Sequence, residues 1–452
     1  MSFRTFFLYH LTPPRIFVLG FSGAIFMGGF LLWLPLSTTK DHLTFVDALF
    51  TSASAVCVTG LAVLDVGKDL TLAGQIITMV LFQIGGLGVI TFSVFFFHLM
   101  GRSIPFKDRE IVQSTFLHTP QKDFQGILKA VLISTLIIES LGTMLLFARF
   151  SQDFPFRLAF YHSVYHAVSA FNNCGYTLFS DSLVRYQGDV LVNLTVMALI
   201  ILGGIGFIVQ HELLSRARSL RKSLSLHTKI VLLTSGILII AGAVLFYFFE
   251  KNHTLLDMPW QPKVLVSLFQ SVSPRTAGFN TVDIGHLTND TILLMMVLMF
   301  IGASPGSAGG GIKTTSTALV FLMLWNGLKG REDVNVFNRT IPRPLINRTV
   351  SIILASVFSV ALFMSLILLA GPRTTLMESR GLFLEYLFDT ISAFGTVGLS
   401  MGITAKFNDF QKVMITIMMF IGRVGPLTLA FSLSLRARKT AFTYAEENIM
   451  VG

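Results

Sequence analysis

Ser392-Ala393-Phe394-Gly395-Thr396-Val397-Gly398-Leu399 decides how this chain is read, because the stretch does not stand alone. Ser54-Ala55-Val56-Cys57-Val58-Thr59-Gly60-Leu61 and Ser169-Ala170-Phe171-Asn172-Asn173-Cys174-Gly175-Tyr176 share its frame. That frame is Ser-Ala, four residues, Gly, then a large apolar or aromatic residue. Ser273-Pro274-Arg275-Thr276-Ala277-Gly278-Phe279 keeps the Gly without the Ser-Ala start. A second landmark follows each: Gly85-Gly86, Gly203-Gly204, Gly302-Ala303 and Gly422-Arg423, at 25, 28, 24 and 24 residues beyond the first Gly. Two landmarks at matched offsets in four copies mark an internal repeat.

Around these landmarks the chain is apolar. Of 452 residues 53% are hydrophobic and 13% charged, about half the charge of a soluble domain. A soluble enzyme and a disordered chain are excluded, and two cysteines, Cys57 and Cys174, support no disulfide framework. Long apolar runs lie roughly at 16–36, 72–99, 127–148, 190–214, 229–249, 291–325, 350–370 and 411–435. They have the length of transmembrane helices, not the ~10-residue alternation of barrel strands. Shorter Ser/Ala/Gly-rich segments at 44–58, 158–173, 264–276 and 383–396 cannot cross a bilayer and read as re-entrant. The expected fold is an all-α polytopic membrane protein. Four helix–pore loop–helix repeats, at 1–100, 101–226, 227–345 and 346–452, surround a pseudo-fourfold pore. That gives eight transmembrane helices and four re-entrant pore helices.

The net charge is +10, but its placement says more than its sum. Arg102, Lys107, Arg109, Lys122, Arg218, Lys222, Arg331, Arg343, Arg436 and Lys439 all fall in linkers between repeats or in the tail. The linker side is net positive and the loop side net negative, so the linkers and both termini are expected in the cytoplasm. The basic balance is then a topology signal, and nucleic acid is not an expected partner.

Four re-entrant loops that each turn at a Gly point to one cation pathway. A dehydrated cation needs oxygens in place of its water, and backbone carbonyls supply them without net charge. Successive inward carbonyls require dihedrals that favour Gly. The expected ligands are carbonyls of Val58, Thr59, Gly60, Asn173, Cys174, Gly175, Thr276, Ala277, Gly278, Thr396, Val397 and Gly398. Thr396-Val397-Gly398 matches the Thr-Val-Gly triplet of potassium-channel filters. Small residues for close helix packing are the competing explanation.

On these four segments the chain resembles the Trk/Ktr/HKT superfamily of potassium transporters, and within it the KtrB-type membrane subunits, from about Arg15 to the C-terminus. The resemblance implies potassium uptake across a bacterial inner membrane through one filter Gly per repeat. A Ser at the first position goes with sodium-preferring plant members; Gly60 therefore implies potassium. It also implies a homodimer in membrane lipid, stimulation by sodium as an activator, and a cytoplasmic nucleotide-binding (KtrA-like) ring. Potassium would be substrate; no cofactor and no enzymatic activity are expected.

The third repeat departs from the pattern. Its last run carries Gly302, Ser304, Pro305, Gly306, Gly309, Gly310, Gly311, Lys313 and Thr314, which form helix poorly, so a broken helix is expected. Such a break persists only beside a cavity or within protein. In KtrB-like proteins this stretch is the gate. Gly311-Ile312-Lys313-Thr314 interrupts the contiguous Gly-Lys-Thr of a phosphate loop, which sets that motif aside. Arg423 should face the pore below the filter or cap carbonyls of the broken helix, since an intramembrane Arg needs protein or water around it. The direction of Lys313 is open. Asp47, Glu385 and Asp389 are expected at or near re-entrant helix starts, Arg275 as a brace, and Glu139 as a coupling-ion site or a paired buried acid. A sodium-permeant member of the same superfamily is the alternative function. A secondary transporter of a small solute is the other, and it would need inverted repeats.

Overall fold

The computed structural model describes residues 13–40, 43–99, 124–218, 223–331, 333–371 and 376–433. Arg102, Lys107, Arg109, Lys122, Lys222 and the tail with Arg436 and Lys439 lie outside the described residues.

The first quarter holds α1 (Pro13–Trp33), the short α2 (Phe45–Val56) and α3 (Leu72–Leu99). The second holds α4 (Phe124–Phe150), α5 (Phe156–Phe171), then α6 (Val190–Gly204) and α7 (Phe207–Arg218). The third holds α8 (Leu226–Glu250), α9 (Trp260–Val272), α10 (Asn289–Phe300) and α11 (Thr314–Leu328). A two-stranded hairpin, β1 (Asn335–Val336) and β2 (Arg339–Thr340), leads to the last quarter. That quarter holds α12 (Arg343–Leu369), α13 (Leu376–Gly395), α14 (Asp409–Val424) and α15 (Pro426–Leu433).

Three short pore helices form close to where the sequence places them, and the fourth, α13, starts at Leu376, ahead of the expected 383. Thr44 caps α2 through the Asp47 N–H at 3.1 Å, and Cys57 and Asn172 close α2 and α5. Each pore helix packs on the first helix of its own quarter: α2 on α1, α5 on α4, α9 on α8, α13 on α12. Each second helix packs on the pore helix of the next: α3 on α5, α6 on α9, α10 on α13, and α14 back on α2. The four quarters therefore close a ring. Its buried interior is aromatic, with Phe50, Phe82, Tyr165 and Phe394 in one apolar cluster and Phe171, Phe269 and Phe279 in another.

Segments Lys129–Phe150, Leu226–Glu250 and Arg343–Leu369 are each long and apolar enough to cross a membrane as straight helices. The runs at 190–214 and 411–435 do not cross as straight helices, as the sequence suggested. α6 and α7 bend by 103°, and α14 and α15 by 93°. Gly206 (φ 96°) and Gly425 (φ 88°) take the left-handed backbone at the two bends, and Pro426 cannot continue the ladder of α14. Hydropathy does not register a bend inside an apolar run. Among the described residues α1, α3 and the broken pair α10/α11 are shorter apolar helices, and they take the remaining places of the expected eight-span pattern around the pore helices.

The second landmark explains the close packing. A Cβ at Gly85, Gly203 or Gly422 would collide with the carbonyl oxygen of Val56, Phe171 or Phe394, the fourth residue before each filter Gly. Here the small-residue packing explanation is correct. Gly203→Ala should lower the melting temperature of the detergent-purified protein, with a cost of about 1–3 kcal/mol for forced overpacking. An unchanged melting temperature would contradict that contact.

Candidate cation filter and gate

The four pore helices end directly before the four glycine segments, so four helix C-termini, each with partial negative charge, converge on one place. The backbone there is the same four times. Gly60, Gly175, Gly278 and Gly398 have φ of 88°, 80°, 78° and 94°. Two residues earlier, Val58, Asn173, Thr276 and Thr396 have φ of 57°, 57°, 74° and 50°. Thr59, Cys174, Ala277 and Val397 between them do not share that sign. Alternating hand along a strand turns successive carbonyls to one side, as a carbonyl-lined filter requires. A non-Gly residue with positive φ costs about 1–3 kcal/mol, and such strain persists only where the surroundings over-determine it. The sequence named these four residues as carbonyl donors but did not reveal their left-handed backbone, because a left-handed Val or Thr has no compositional signature.

The segments meet in a cycle. A Cβ added at Gly60 would collide with the Cys174 carbonyl, at Gly175 with Ala277, at Gly278 with Val397, and at Gly398 with Thr59. Every filter Gly thus faces the backbone oxygen preceding the Gly of the next segment, and the fourth returns to the first. No side chain fits at any of the four positions, and their left-handed backbone and closed cycle distinguish them from the packing glycines Gly85, Gly203 and Gly422.

Pore-helix serines hold the segments. Ser54 Oγ and Ser392 Oγ accept from the N–H of Gly60 and Gly398, each at 3.0 Å. Ser169 Oγ donates instead to the Tyr176 carbonyl at 2.7 Å, and Ser273 Oγ donates to that of Phe279. The third segment thus retains a working serine despite its altered start. The Asn173 amide lies 3.1 Å from Thr276 Oγ1. With its oxygen toward that hydroxyl, its NH2 group reaches the carbonyls of Ala170, Phe171 and Ile200 at 3.3, 3.2 and 3.2 Å.

Directly against the filter lies the loop between α10 and α11. Gly310 N donates to Thr396 Oγ1 at 2.9 Å, and a Cβ at Gly309 would collide with Thr276 Oγ1. Ser304 N and Ala308 N donate to the carbonyls of Gly204 and Gly203 at 3.0 and 3.2 Å. Gly311 N donates to Gly422 O at 3.2 Å, and Phe207 N at the start of α7 donates to Gly306 O at 2.9 Å. Within the loop, Ser304 and Thr314 hydroxyls meet at 2.9 Å. Gly302 backs onto Gly310, and Pro305 sits against the Gly206 bend. Lys313 Nζ turns back to the carbonyls of Gly309 and Gly310 at 2.8 and 3.4 Å, which settles its direction.

Arg423 was expected to face the pore, to cap carbonyls of the broken helix, or to do both. Its guanidinium donates to the Ala308 carbonyl in the loop and the Gly85 carbonyl on α3. It is 5% exposed. The residue pins the loop to the first quarter's second helix, which is the capping role. Burial of an intramembrane cation demands such acceptors.

Two of the acidic residues differ from expectation. α13 begins at Leu376, so Glu385 and Asp389 lie within the helix and not at its start. Asp389, fully buried, accepts from Ser400 Oγ at 3.0 Å and from Thr404 Oγ1, tying the pore helix to the chain leaving the filter. Asp47 is near its helix start and pairs with Lys412 Nζ of α14 at 2.6 Å. Arg149 hydrogen-bonds Asp153 at 2.9 Å and also pairs with Asp189, and this holds the Asp153 carboxyl below the usual carboxylate range. Arg275 Nη2 reaches Ser235 Oγ on α8 at 3.0 Å, the brace the sequence suggested.

The sequence model of the family described as TrkH, cation transport protein, matches residues 26–440. The chain is a member of the TrkH family of cation transport proteins. It is 38% identical over 98% of its length to the Ktr system potassium uptake protein B of Bacillus subtilis, covering 97% of that protein. It is 36% identical over 97% of its length to the protein of the same name from Vibrio alginolyticus, covering 95% of it. The potassium/sodium uptake protein NtpJ of Enterococcus hirae is 35% identical, with 98% of each chain covered. The fold matches the crystal structure of the potassium transporter TrkH from Vibrio parahaemolyticus with a TM-score of 0.69. That match is at 19% identity over 92% of this chain and 83% of the other. A family of membrane cation transporters, not of enzymes, thus accounts for the whole ring of helices.

Proposed function

We propose that this TrkH-family chain takes up potassium across the cell membrane through the ring of Gly60, Gly175, Gly278 and Gly398. The observation that carries the reading is the closure of that ring: each Gly abuts the carbonyl of the next segment, the fourth returning to the first. The binding oxygens are the carbonyls of Val58, Thr59 and Gly60, Asn173, Cys174 and Gly175, Thr276, Ala277 and Gly278, and Thr396, Val397 and Gly398. Carbonyls replace the ion's water without holding it by net charge, so the ion also leaves. The relatives named potassium uptake proteins support potassium as the ion. The relative named for potassium and sodium supports sodium as an activator or a second permeant ion.

The gate in this reading is Gly302, Ser304, Pro305, Gly306, Gly309, Gly310, Gly311, Lys313 and Thr314, locked by Arg423. The four quarters act as four repeats in a bacterial inner membrane, and both termini are cytoplasmic. The subunit works as a homodimer under a nucleotide-binding (KtrA-like) ring; the word "system" in the names of two relatives supports such partners. Uptake of rubidium into proteoliposomes tests the reading. Uptake that potassium competes away supports it, and no ion uptake by folded protein would overturn it. Orientation has its own test. Cysteines placed at Lys222 and Lys439 should resist impermeant maleimide added to intact cells, and efficient external labelling would reverse the topology.

A further inference from the structure

The four filter segments are not braced in the same way. In the first and fourth, a pore-helix serine accepts the N–H of the filter Gly itself, Ser54 to Gly60 and Ser392 to Gly398. In the second and third, the serine engages the carbonyl after the Gly, so the Gly N–H loses that partner. Those two segments carry instead a long polar side chain three residues before the Gly, Asn172 and Arg275, where the other two have Cys57 and Gly395. Both polar side chains reach outward to the first helix of their own quarter. Arg275 meets Ser235 on α8, and Asn172 Nδ2 meets Glu139 Oε1 on α4 at 3.1 Å.

The Asn172 contact is built with care for a buried acid. Glu139 is 6% exposed and Asn172 is fully buried. Gln83 of α3 closes a triangle: its Nε2 donates to Glu139 Oε2 at 3.3 Å, and its Oε1 accepts from Asn172 Nδ2 at 2.5 Å. The same nitrogen also lies 2.9 Å from the Val168 carbonyl in the last turn of α5. Gly86 makes room for it, since a Cβ there would collide with the Asn172 amide. A buried carboxylate is tolerated only when its hydrogen-bonding capacity is used, and here amides of two other elements use it.

We propose that Glu139, acting through Asn172, is a positioning residue that sets the cation selectivity of the second filter segment, the outer counterpart of the serine braces in the first and fourth. This rests on the filter reading given above. When the carboxylate is lost, Asn172 Nδ2 keeps Gln83 Oε1 and the Val168 carbonyl but loses its tie to α4, and the Asn173-Cys174-Gly175 carbonyls lose that outer anchor. A smaller ion gains from a loosened cage more than potassium does.

The test is rubidium uptake by the reconstituted full chain with potassium and sodium as competitors. Glu139→Ala and Asn172→Ala should each narrow the potassium-to-sodium preference about fivefold to tenfold, the scale of one ordinary hydrogen bond. The double variant should be no worse than either single one, because both break one link. Glu139→Gln retains the length and one acceptor, keeps the protein folded, and should restore most of the preference. Wild-type selectivity in Glu139→Ala, or in Glu139→Gln and Asn172→Ala where Glu139→Ala does not fold, overturns the proposal, as does a change confined to maximal rate. Gly60→Ser serves as reference: altered selectivity there with none at Glu139 rejects only this inference, and none at either rejects the filter reading.

Discussion

Gly60→Ser should weaken potassium uptake and admit more sodium. The added Cβ has no space, because the Cys174 carbonyl occupies it. Nor does the backbone suit it, since φ at Gly60 is 88°. Either the Cys174 oxygen withdraws or the Gly60 strand rotates, and one quarter of the ring no longer matches potassium. Displacing one carbonyl should cost about 1.4 kcal/mol or more, about tenfold in apparent affinity. Gly175→Ser and Gly278→Ser should act alike, because their faces meet Ala277 and Val397 in the same way. The check is the concentration dependence of potassium uptake for each variant, with sodium uptake measured beside it. Unchanged potassium affinity in all three would mean that the glycines serve packing alone.

Shortening the loop should do the opposite to flux. Gly309 and Gly310 lie against Thr276 and Thr396 of the filter, and bonds from α6, α7 and α14 to residues 304 to 311, with Arg423 reaching on to α3, hold the loop there. Many of these bonds are single backbone contacts to a Gly-rich strand, whose alternative conformations are close in energy. Deleting several loop residues should therefore raise potassium flux and loosen its dependence on a cytoplasmic partner. Arg423→Ala should act in the same direction. It strands the carbonyl of Ala308, worth about 1–3 kcal/mol when left buried without a donor, and removes the second donor to Gly85 of α3, so a lower melting temperature should accompany the higher flux. Selectivity should survive in both, since the filter segments keep their serine braces. Loss of flux in folded loop-deleted protein would place the loop in the conduction path and not in its gate.

How much of this was legible in the sequence depends on what carried the signal. The four glycine frames and their partners at Gly85, Gly203, Gly302 and Gly422 were readable because Gly is the one residue whose absence of a side chain shows in the letters. The pore helices were readable from their length. The bends at Gly206 and Gly425 were not, since an apolar run looks the same straight or folded back. Left-handed Val58, Thr276 and Thr396 were invisible because tertiary contacts, not propensity, hold them there. Arg423 was correctly marked as a buried cation needing acceptors. Which acceptors it finds, one in the loop and one on α3, depends on how four distant segments close into a ring.

The central claim is that four backbone segments form one potassium-selective ring, and ion competition tests it most directly. Purified protein in proteoliposomes would take up rubidium in the presence of graded potassium or sodium. The account requires potassium to compete at concentrations at least about tenfold below those of sodium in the wild type, and that gap to shrink in each Gly→Ser variant. Equal competition by sodium in the wild type, or a gap that all four substitutions leave intact, would contradict it.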